Sequence, residues 1–459
     1  MASEKSVCSV LSVAKGGLMR RSPMVRLLVM GVLLLGLNVP LTMMCSVVDE
    51  RARRRNQVVD EVSGDWGGAQ TIGGPVLSVP YRYSWKDAAG RLQSSVNSYH
   101  FLPEVLEVDG VIEPGVRTRT LFSVIVYTGR LKIRGRFAPP RVANLQPAPD
   151  AILWESATVS LGVSDPRGIA RAIEIVWNGQ PTQFAPGTAP VGLFTSGIQA
   201  PAPGISAEGT EPLAFEIDFD IKGTRQLRLL PGGNETTFKL TSTWPHPSFV
   251  GTTPDSSRID STGFAASWRV PYFGRGFPKA WNGGDHQLNE VLSRHAESSA
   301  FGVALVQPVD IYVQTERAVK YAVLFIVMTF VLAFLWEITG GVLVHPIQYL
   351  FVGFTMCVFY LLLLSIAEHR GFDTAYVVAA AATIGLLSWY WSWVLGGRRQ
   401  GAMMGAALTV LYGYLYLLLR LEDYSLLAGS TGLFAMLALV MFLTRKVNWY
   451  DLQLGADRG

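Results

Sequence analysis

Six runs without a charged side chain limit what this chain can fold into. They are Leu27–Val48, Tyr321–Trp336, Pro346–Ala367, Thr374–Gly397, Gln400–Leu419 and Tyr424–Thr444. A helix needs about 20 apolar residues to cross the hydrocarbon core of a bilayer, and all but the second run reach that length. The second has Lys320 and Glu337 at its ends, where long charged side chains reach the headgroups. Only 16% of the 459 residues are charged, against about 25% in soluble domains. A disordered chain, a small disulfide scaffold and an ordinary cytosolic enzyme are excluded. The chain reads as a membrane protein with six transmembrane helices, and the lipid bilayer is its first expected partner.

Arg20, Arg21 and Arg26 precede the first run, as in a secretory signal. The run is too long for a signal core, however, and its exit at Thr42-Met43-Met44-Cys45-Ser46 offers no small-residue cleavage site. It reads as an uncleaved anchor. With the N-terminus inside, the inner segments carry Arg398, Arg399, Arg445 and Lys446, while the outer turns Glu368–Asp373 and Arg420–Asp423 are mixed or acidic. Arg51, Arg53, Arg54 and Arg55 oppose this orientation, but the later segments agree on it. The expected organisation is a cytoplasmic tail 1–23, a transmembrane helix 24–48, a periplasmic domain 49–318, helices over 319–444 and a cytoplasmic tail 445–459. The expected location is a bacterial inner membrane. A formal net charge of +4, scattered along the chain, gives no reason to expect nucleic acid. Cys8, Cys45 and Cys357 all lie outside the large domain, which therefore has no cysteine for a disulfide.

Within that domain 49–62 reads as an amphipathic stalk helix ending at the Gly64–Gly68 cluster. Beyond it the period becomes two. Phe215, Ile217, Phe219 and Ile221 alternate with Glu216, Asp218, Asp220 and Lys222, a half-exposed strand. Similar strands are readable at Val76–Tyr83, Phe122–Tyr127, Lys132–Phe137, Thr236–Thr241, Gly263–Trp268 and Phe301–Val306. Turn signals fall at Gly73-Gly74-Pro75, Tyr127-Thr128-Gly129, Asp165-Pro166-Arg167-Gly168 and Pro231-Gly232-Gly233. With no long helical pattern between strands, an antiparallel β-sandwich-like domain is expected. Ala138–Pro149 reads as a seam and Ala185–Pro212 as a long surface loop.

The strong catalytic and metal motifs are absent, and His100, His246, His286, His295, His345 and His369 form no metal spacing. No catalytic residue, cofactor or metal ligand is assigned. The cores of the last four runs hold no ionisable side chain, which argues against an ion-coupled carrier. Gly401-x-x-x-Gly405 and Ala379–Ala382 suit close helix packing instead. Trp389–Trp393, Tyr412–Tyr416 and Trp449-Tyr450 read as interfacial belts. Outside the runs, Trp244-Pro245-His246-Pro247-Ser248-Phe249 stands out. It reads either as a rigid β-edge loop or as a contact for an envelope protein or lipid through Trp244, Pro245, His246, Pro247 and Phe249. Glu368-His369 reads as an acid–base pair or a solvated helix end. Glu337 and His345 flank a short inner turn, where helix capping or headgroup contact is expected.

Six stretches resemble the CreD family of bacterial inner-membrane proteins. They are Trp66-Gly67 with Gln70 and Gly74-Pro75 leading to Val79-Pro80-Tyr81; Tyr127-Thr128-Gly129; Asp165 to Ile169 with Pro231-Gly232-Gly233; Thr241 to Gly251; Arg317 to Tyr321 and His345-Pro346 to Gly353 with Phe359 to Phe372; and Phe442 to Asp451. The resemblance implies a large periplasmic domain, a C-terminal helix cluster, expression under a two-component envelope or β-lactam-responsive system, and effects on colicin tolerance and envelope stability. It brings no established reaction and hence no catalytic residues. Met19-Arg20-Arg21-Ser22-Pro23 looks like the family's opening, which makes Met19 the expected start. The expected function is non-catalytic support of envelope integrity. A lipid-handling transporter, or a hydrolase using His246 or Glu368-His369, is the alternative. Oligomeric state is left open.

Overall fold

The computed structural model describes residues 23–141, 149–189, 191–307, 311–340, 344–421 and 424–445. Two compact units emerge, one made of Met1–Arg54 and Val309–Gly459, the other of Arg55–Pro308. Helices are labelled α1 (Pro23–Trp66), α2 (His286–Ser299), α3 (Ile311–Gly340), α4 (Pro346–Arg370), α5 (Phe372–Val394), α6 (Arg398–Arg420) and α7 (Ser425–Thr444).

The helical unit holds the start of α1 and all of α3 to α7. Five helices, α1 and α3 to α6, are long and apolar enough to cross a membrane. Six were expected. The last run is helical as α7, but its described apolar stretch, Leu427–Phe442, is shorter than the others. Between α4 and α5 stands only Gly371, at φ +79°, a left-handed backbone that suits glycine. The interior is filled by large side chains, with Phe330, Val352, Phe359, Leu363, Trp391, Leu408 and Leu415 fully buried. Leu28, Leu35, Val377, Trp393, Val410 and Phe434 point outward, an apolar exterior that water would penalise and acyl chains would not. The belt expectation fails at two positions, because Trp391 and Tyr412 lie in the core while Trp389 and Trp393 stay outside. Trp449-Tyr450 lies outside the described residues.

The β unit consists of two sheets. One runs in the order Pro247–Val250, Phe301–Leu305, Gln226–Leu229, Gln70–Lys86, Thr158–Val163, Gly197–Pro201, Ala185–Pro186, with Leu92–Phe101 and Ala151–Ile152 also paired to Gln70–Lys86. The other runs Ser256–Asp260, Gly263–Pro271, Glu235–Ser242, Val105–Arg119, Phe122–Phe137, Leu213–Thr224, Glu174–Trp177, Gln180–Gln183. Their inner faces share one core, in which Leu77, Val159 and Phe301 of the first sheet join Leu106, Ile217 and Trp268 of the second. Outward residues of the second sheet form exposed ion pairs, such as Arg134–Asp109 at 3.0 Å and Lys132–Glu216 at 2.5 Å. Pairs so exposed contribute about 0–1 kcal/mol each.

Several sequence expectations need correction. The sheets are mixed, since Gln70–Ile72 runs parallel to Leu227–Leu229, and Val105–Ile112 parallel to Glu235–Ser242. Period-two alternation fixes which face is buried and says nothing of the neighbour's direction. Tyr127-Thr128-Gly129 is no turn but mid-strand, with Thr128 opposite both Glu113 and Lys222. Gly73-Gly74-Pro75 is a bulge inside a strand. Ala185–Pro212 contains two strands, and its Val191, Ala200 and Ala202 are buried, so it is not a surface loop. The seam Ala138–Pro149 lies largely outside the described residues. The stalk continues through Gly64 to Trp66 as part of α1, and the next transmembrane helix begins at Ile311 rather than 319. Helix α2 was not anticipated. Asp285 caps it by accepting from the Leu288 amide at 3.0 Å, and Leu292 and Ala296 anchor it in a second small core with Val76, Leu230 and Trp281.

Candidate functional site

Trp244 to Phe249 forms the rim of the first sheet. Pro247–Val250 is its edge strand, antiparallel to Phe301–Leu305. Trp244 Nε1 donates to the Val306 carbonyl at 3.0 Å, and the Val306 amide donates to the His246 carbonyl at 3.2 Å. Phe249 meets Phe264 and Trp268 edge-on at 6.1 and 5.6 Å. Trp244 and Phe249 therefore face the core, half-buried, whereas His246 and Ser248 are exposed. Pro245 and Pro247 have no N–H to offer a further strand, which blunts part of this edge.

The helical unit brings one expected residue into a different role. Glu337 neither caps a helix nor meets headgroups. Its carboxylate is buried, ion-paired with Arg26 of α1 at 2.8 Å and accepting from the Tyr349 hydroxyl of α4 at 3.0 Å. One group thus ties α1, α3 and α4 together. His345 caps α4, its ring accepting from the Ile347 amide at 3.3 Å while Gln348 Oε1 accepts from the His345 amide at 2.8 Å. Glu368 and His369 do not form an acid–base pair. Neighbouring helical residues point apart, so Glu368 accepts from the Tyr312 hydroxyl at 3.1 Å and approaches Arg51 at 3.8 Å, while exposed His369 bonds the Ser365 carbonyl at 3.0 Å.

The glycine spacing in α6 does close packing. A Cβ on Gly401 would lie 2.6 Å from Ser392 Cβ and 2.7 Å from the Ser388 carbonyl oxygen of α5, whereas one on Gly405 would chiefly meet the Ser388 hydroxyl. Backbone cannot move aside as a hydroxyl can. Gly401→Ala is therefore expected to destabilise the helical unit by about 1–3 kcal/mol, and Gly405→Ala by less. Thermal unfolding of the purified variants in detergent checks the order; equal losses would refute it.

Three stretches that carry the family resemblance converge in the β unit. At the end of α1, Trp66 Nε1 donates to the Tyr127 carbonyl at 3.2 Å, and its ring carries the Arg117 guanidinium at 4.1 Å and the Lys222 ammonium at 4.7 Å. Gly67 sits at φ +117°, where a Cβ would be 2.8 Å from the Lys222 carbonyl oxygen. Fully buried Gln70 donates to the carbonyls of Asp165 and Lys222, both at 3.0 Å, and accepts from the Asp165 amide at 3.2 Å and the Ser164 hydroxyl at 3.3 Å. The Asp165 carboxylate accepts from the Gly68 amide at 2.8 Å and from the Arg167 guanidinium at 2.8 and 2.9 Å. Arg167 first, and then the backbone amides, hold the Asp165 carboxyl below the usual carboxylate range against the opposing effect of burial.

That shift has a signed consequence. A depressed native pKa stabilises the fold fully above the unfolded value of about 4 and loses that contribution as pH falls toward the native value. Wild type is therefore expected to lose more stability than Asp165→Asn between about pH 5 and pH 3, so that two curves separated at neutral pH approach each other. Denaturant midpoints across that range test it, and parallel curves would contradict it.

Sequence reading passed over one charged residue. Arg275 lies in Tyr272-Phe273-Gly274-Arg275-Gly276-Phe277, where a cation flanked by glycines and aromatics was the available signal. It is 6% exposed. Its Nη1 donates to the carbonyls of Gly232 and Gly233 at 2.7 and 2.8 Å, and the rings of Tyr272 and Phe277 lie 5.1 and 5.5 Å away. Burial pushes its pKa down to about 10, leaving it charged at neutral pH. Removing an ion from water costs on the order of several kcal/mol unless it is compensated.

No group of three or more His, Cys, Asp or Glu able to hold a metal occurs among the described residues. Together the two units define a class, a multi-pass membrane protein with a large mixed β domain. The family model described as inner membrane protein CreD matches residues 22–450. The inner membrane protein CreD of Escherichia coli (strain K12) is 33% identical over 427 residues, covering 91% of each chain. The chain belongs to the CreD family, and its apolar helices accord with an inner-membrane location. A solved M1 zinc metallopeptidase from Deinococcus radiodurans aligns over 78% of this chain and 94% of its own at 9% identity, but its TM-score of 0.20 carries no argument about fold or chemistry.

Proposed function

We propose that this protein is a non-enzymatic recognition protein of the bacterial envelope, supporting envelope integrity from the inner membrane. In this reading the termini are cytoplasmic, the β unit is periplasmic and binds an envelope protein or lipid, and the helices anchor it. The observation that carries it is the rim at Trp244–Phe249, where two aromatics fix the backbone from inside and His246 and Ser248 face outward. That arrangement presents a preset surface, and no carboxylate among the described residues pairs with His246. The filled core of the helical unit favours an anchor over a carrier.

In-cell photo-crosslinking from positions 246 and 248 tests recognition. A discrete protein adduct is the expected result. Adducts to lipid alone would shift the assignment to lipid handling, and no adduct from either position would remove the rim from the proposal. Orientation is tested with Phe273→Cys, at a side chain 92% exposed. A membrane-impermeant thiol reagent should label it in cells with a permeabilised outer membrane; labelling only after lysis would reverse the topology.

A further inference from the structure

Arg275 is a buried cation with half of its guanidinium unused. Nη1 takes both carbonyl contacts, from Gly232 and Gly233. Nε and Nη2 are buried and have no hydrogen-bond partner among the described residues. A guanidinium cannot escape this by losing its proton at neutral pH. The two free nitrogens form the side-on edge of the group, whose parallel N–H bonds match the two oxygens of one carboxylate. Charge and the geometry of this edge agree on the same ligand. One positive charge and two parallel N–H bonds match a carboxylate, with the second Nη2 hydrogen left for a further acceptor, whereas a phosphate would bring more negative charge than one guanidinium balances.

The surroundings specify the rest of the ligand. Rings of Tyr272 and Phe277 flank the guanidinium, and Phe273, whose ring meets that of Tyr272 at 5.2 Å, is an uncovered apolar group with 92% of its side chain exposed. The three-residue turn Tyr272–Gly274 lies directly before Arg275, and a second glycine follows at 276. Both free nitrogens are enclosed, so a ligand reaches them only if neighbouring chain moves, and little packing of the exposed Phe273 side chain opposes movement of this turn.

We propose that the Nε–Nη2 edge of Arg275 binds the carboxylate of an apolar acid, either a free organic acid or the carboxyl terminus of an apolar peptide. The site lies wholly within the β unit and does not depend on the orientation or the rim contact proposed above.

The test uses the full chain purified in detergent with 15N-labelled arginine, reading the Nε–H resonance that disappears in Arg275→Lys. 3-Phenylpropionate and acetyl-Phe-Phe with a free carboxyl terminus are titrated, each against its amide, with inorganic phosphate as a further probe. The Arg275 resonance is expected to shift saturably with the acids, and with affinity about tenfold or more above the amides, because an amide offers one acceptor and no charge. Tighter binding of phenylpropionate assigns the site to a free acid, and tighter binding of the dipeptide assigns it to a peptide terminus. No saturable shift with either acid, or phosphate binding as tightly as the acids, overturns the proposal.

If Arg275→Lys does not fold, the same comparison is made by thermal shift on wild type and Phe273→Ala, whose lost side chain is almost fully exposed. Phenylpropionate, but not its amide, should raise Tm saturably in wild type, with several-fold weaker binding in Phe273→Ala. Equal effects of acid and amide overturn the proposal.

Discussion

Arg26→Ala is expected to destabilise the helical unit by about 3–5 kcal/mol, more than Glu337→Ala, although the two residues form one ion pair. The asymmetry follows from exposure. The Glu337 side chain is 2% exposed, so removing Arg26 leaves a buried carboxylate facing the Tyr349 hydroxyl without the guanidinium's charge. An uncompensated buried charge is the expensive outcome, about 3–5 kcal/mol. The Arg26 side chain is 20% exposed and sits near the start of α1. It can extend toward water or headgroups once Glu337 is gone, so that variant should lose about 1–3 kcal/mol. Arg26→Met with Glu337→Met, replacing both charges by apolar groups, should lie closer to wild type than Arg26→Ala alone. Unfolding of the four proteins in mixed detergent decides this. Equal losses from the two single substitutions would show that exposure does not set the cost.

Gln70→Met should cost the β unit about 3–4 kcal/mol, although it conserves volume. Gln70 makes four hydrogen bonds from a fully buried position. At about 1 kcal/mol per bond, and with backbone groups of Asp165 and Lys222 deprived of a partner, methionine cannot recover the loss by packing. Because Gln70 ties Ser164 and Asp165 to Lys222 beside Trp66, the damage should extend beyond one strand. Amide exchange should accelerate around Asp165–Gly168 and Leu213–Thr224 together. Faster exchange confined to residue 70 and its immediate neighbours would refute the coupling. Gln70→Glu separates size from hydrogen bonding, because it keeps the shape but lacks the two donors.

Much of this architecture was legible in the sequence for reasons that are local. Hydrophobic run length is a property of the chain, and a bilayer of fixed thickness turns it into helices. Alternation in Leu213–Thr224 is likewise local, and Leu213, Phe215, Ile217, Phe219 and Ile221 are buried as that period requires. Trp244–Phe249 was noticed because two prolines between two aromatics stiffen any backbone, and it does form a β-edge.

Other features depended on which distant residues meet. Tyr127-Thr128-Gly129 has turn-forming composition, but pairing with Val105–Arg119 on one side and Leu213–Thr224 on the other outweighs that propensity. Parallel pairing of Val105–Ile112 with Glu235–Ser242 joins segments more than a hundred residues apart, and nothing in either segment encodes direction. Glu337 read as a border residue because the chain does not reveal that Arg26 and Tyr349 approach it. Arg275 was passed over in the sequence, and folding buries it. Sequence by itself determined where this chain could leave water, since hydrophobicity and period are carried residue by residue. Tertiary structure decided which charges are buried and with what partners, because a charge's surroundings are supplied by segments remote in the chain.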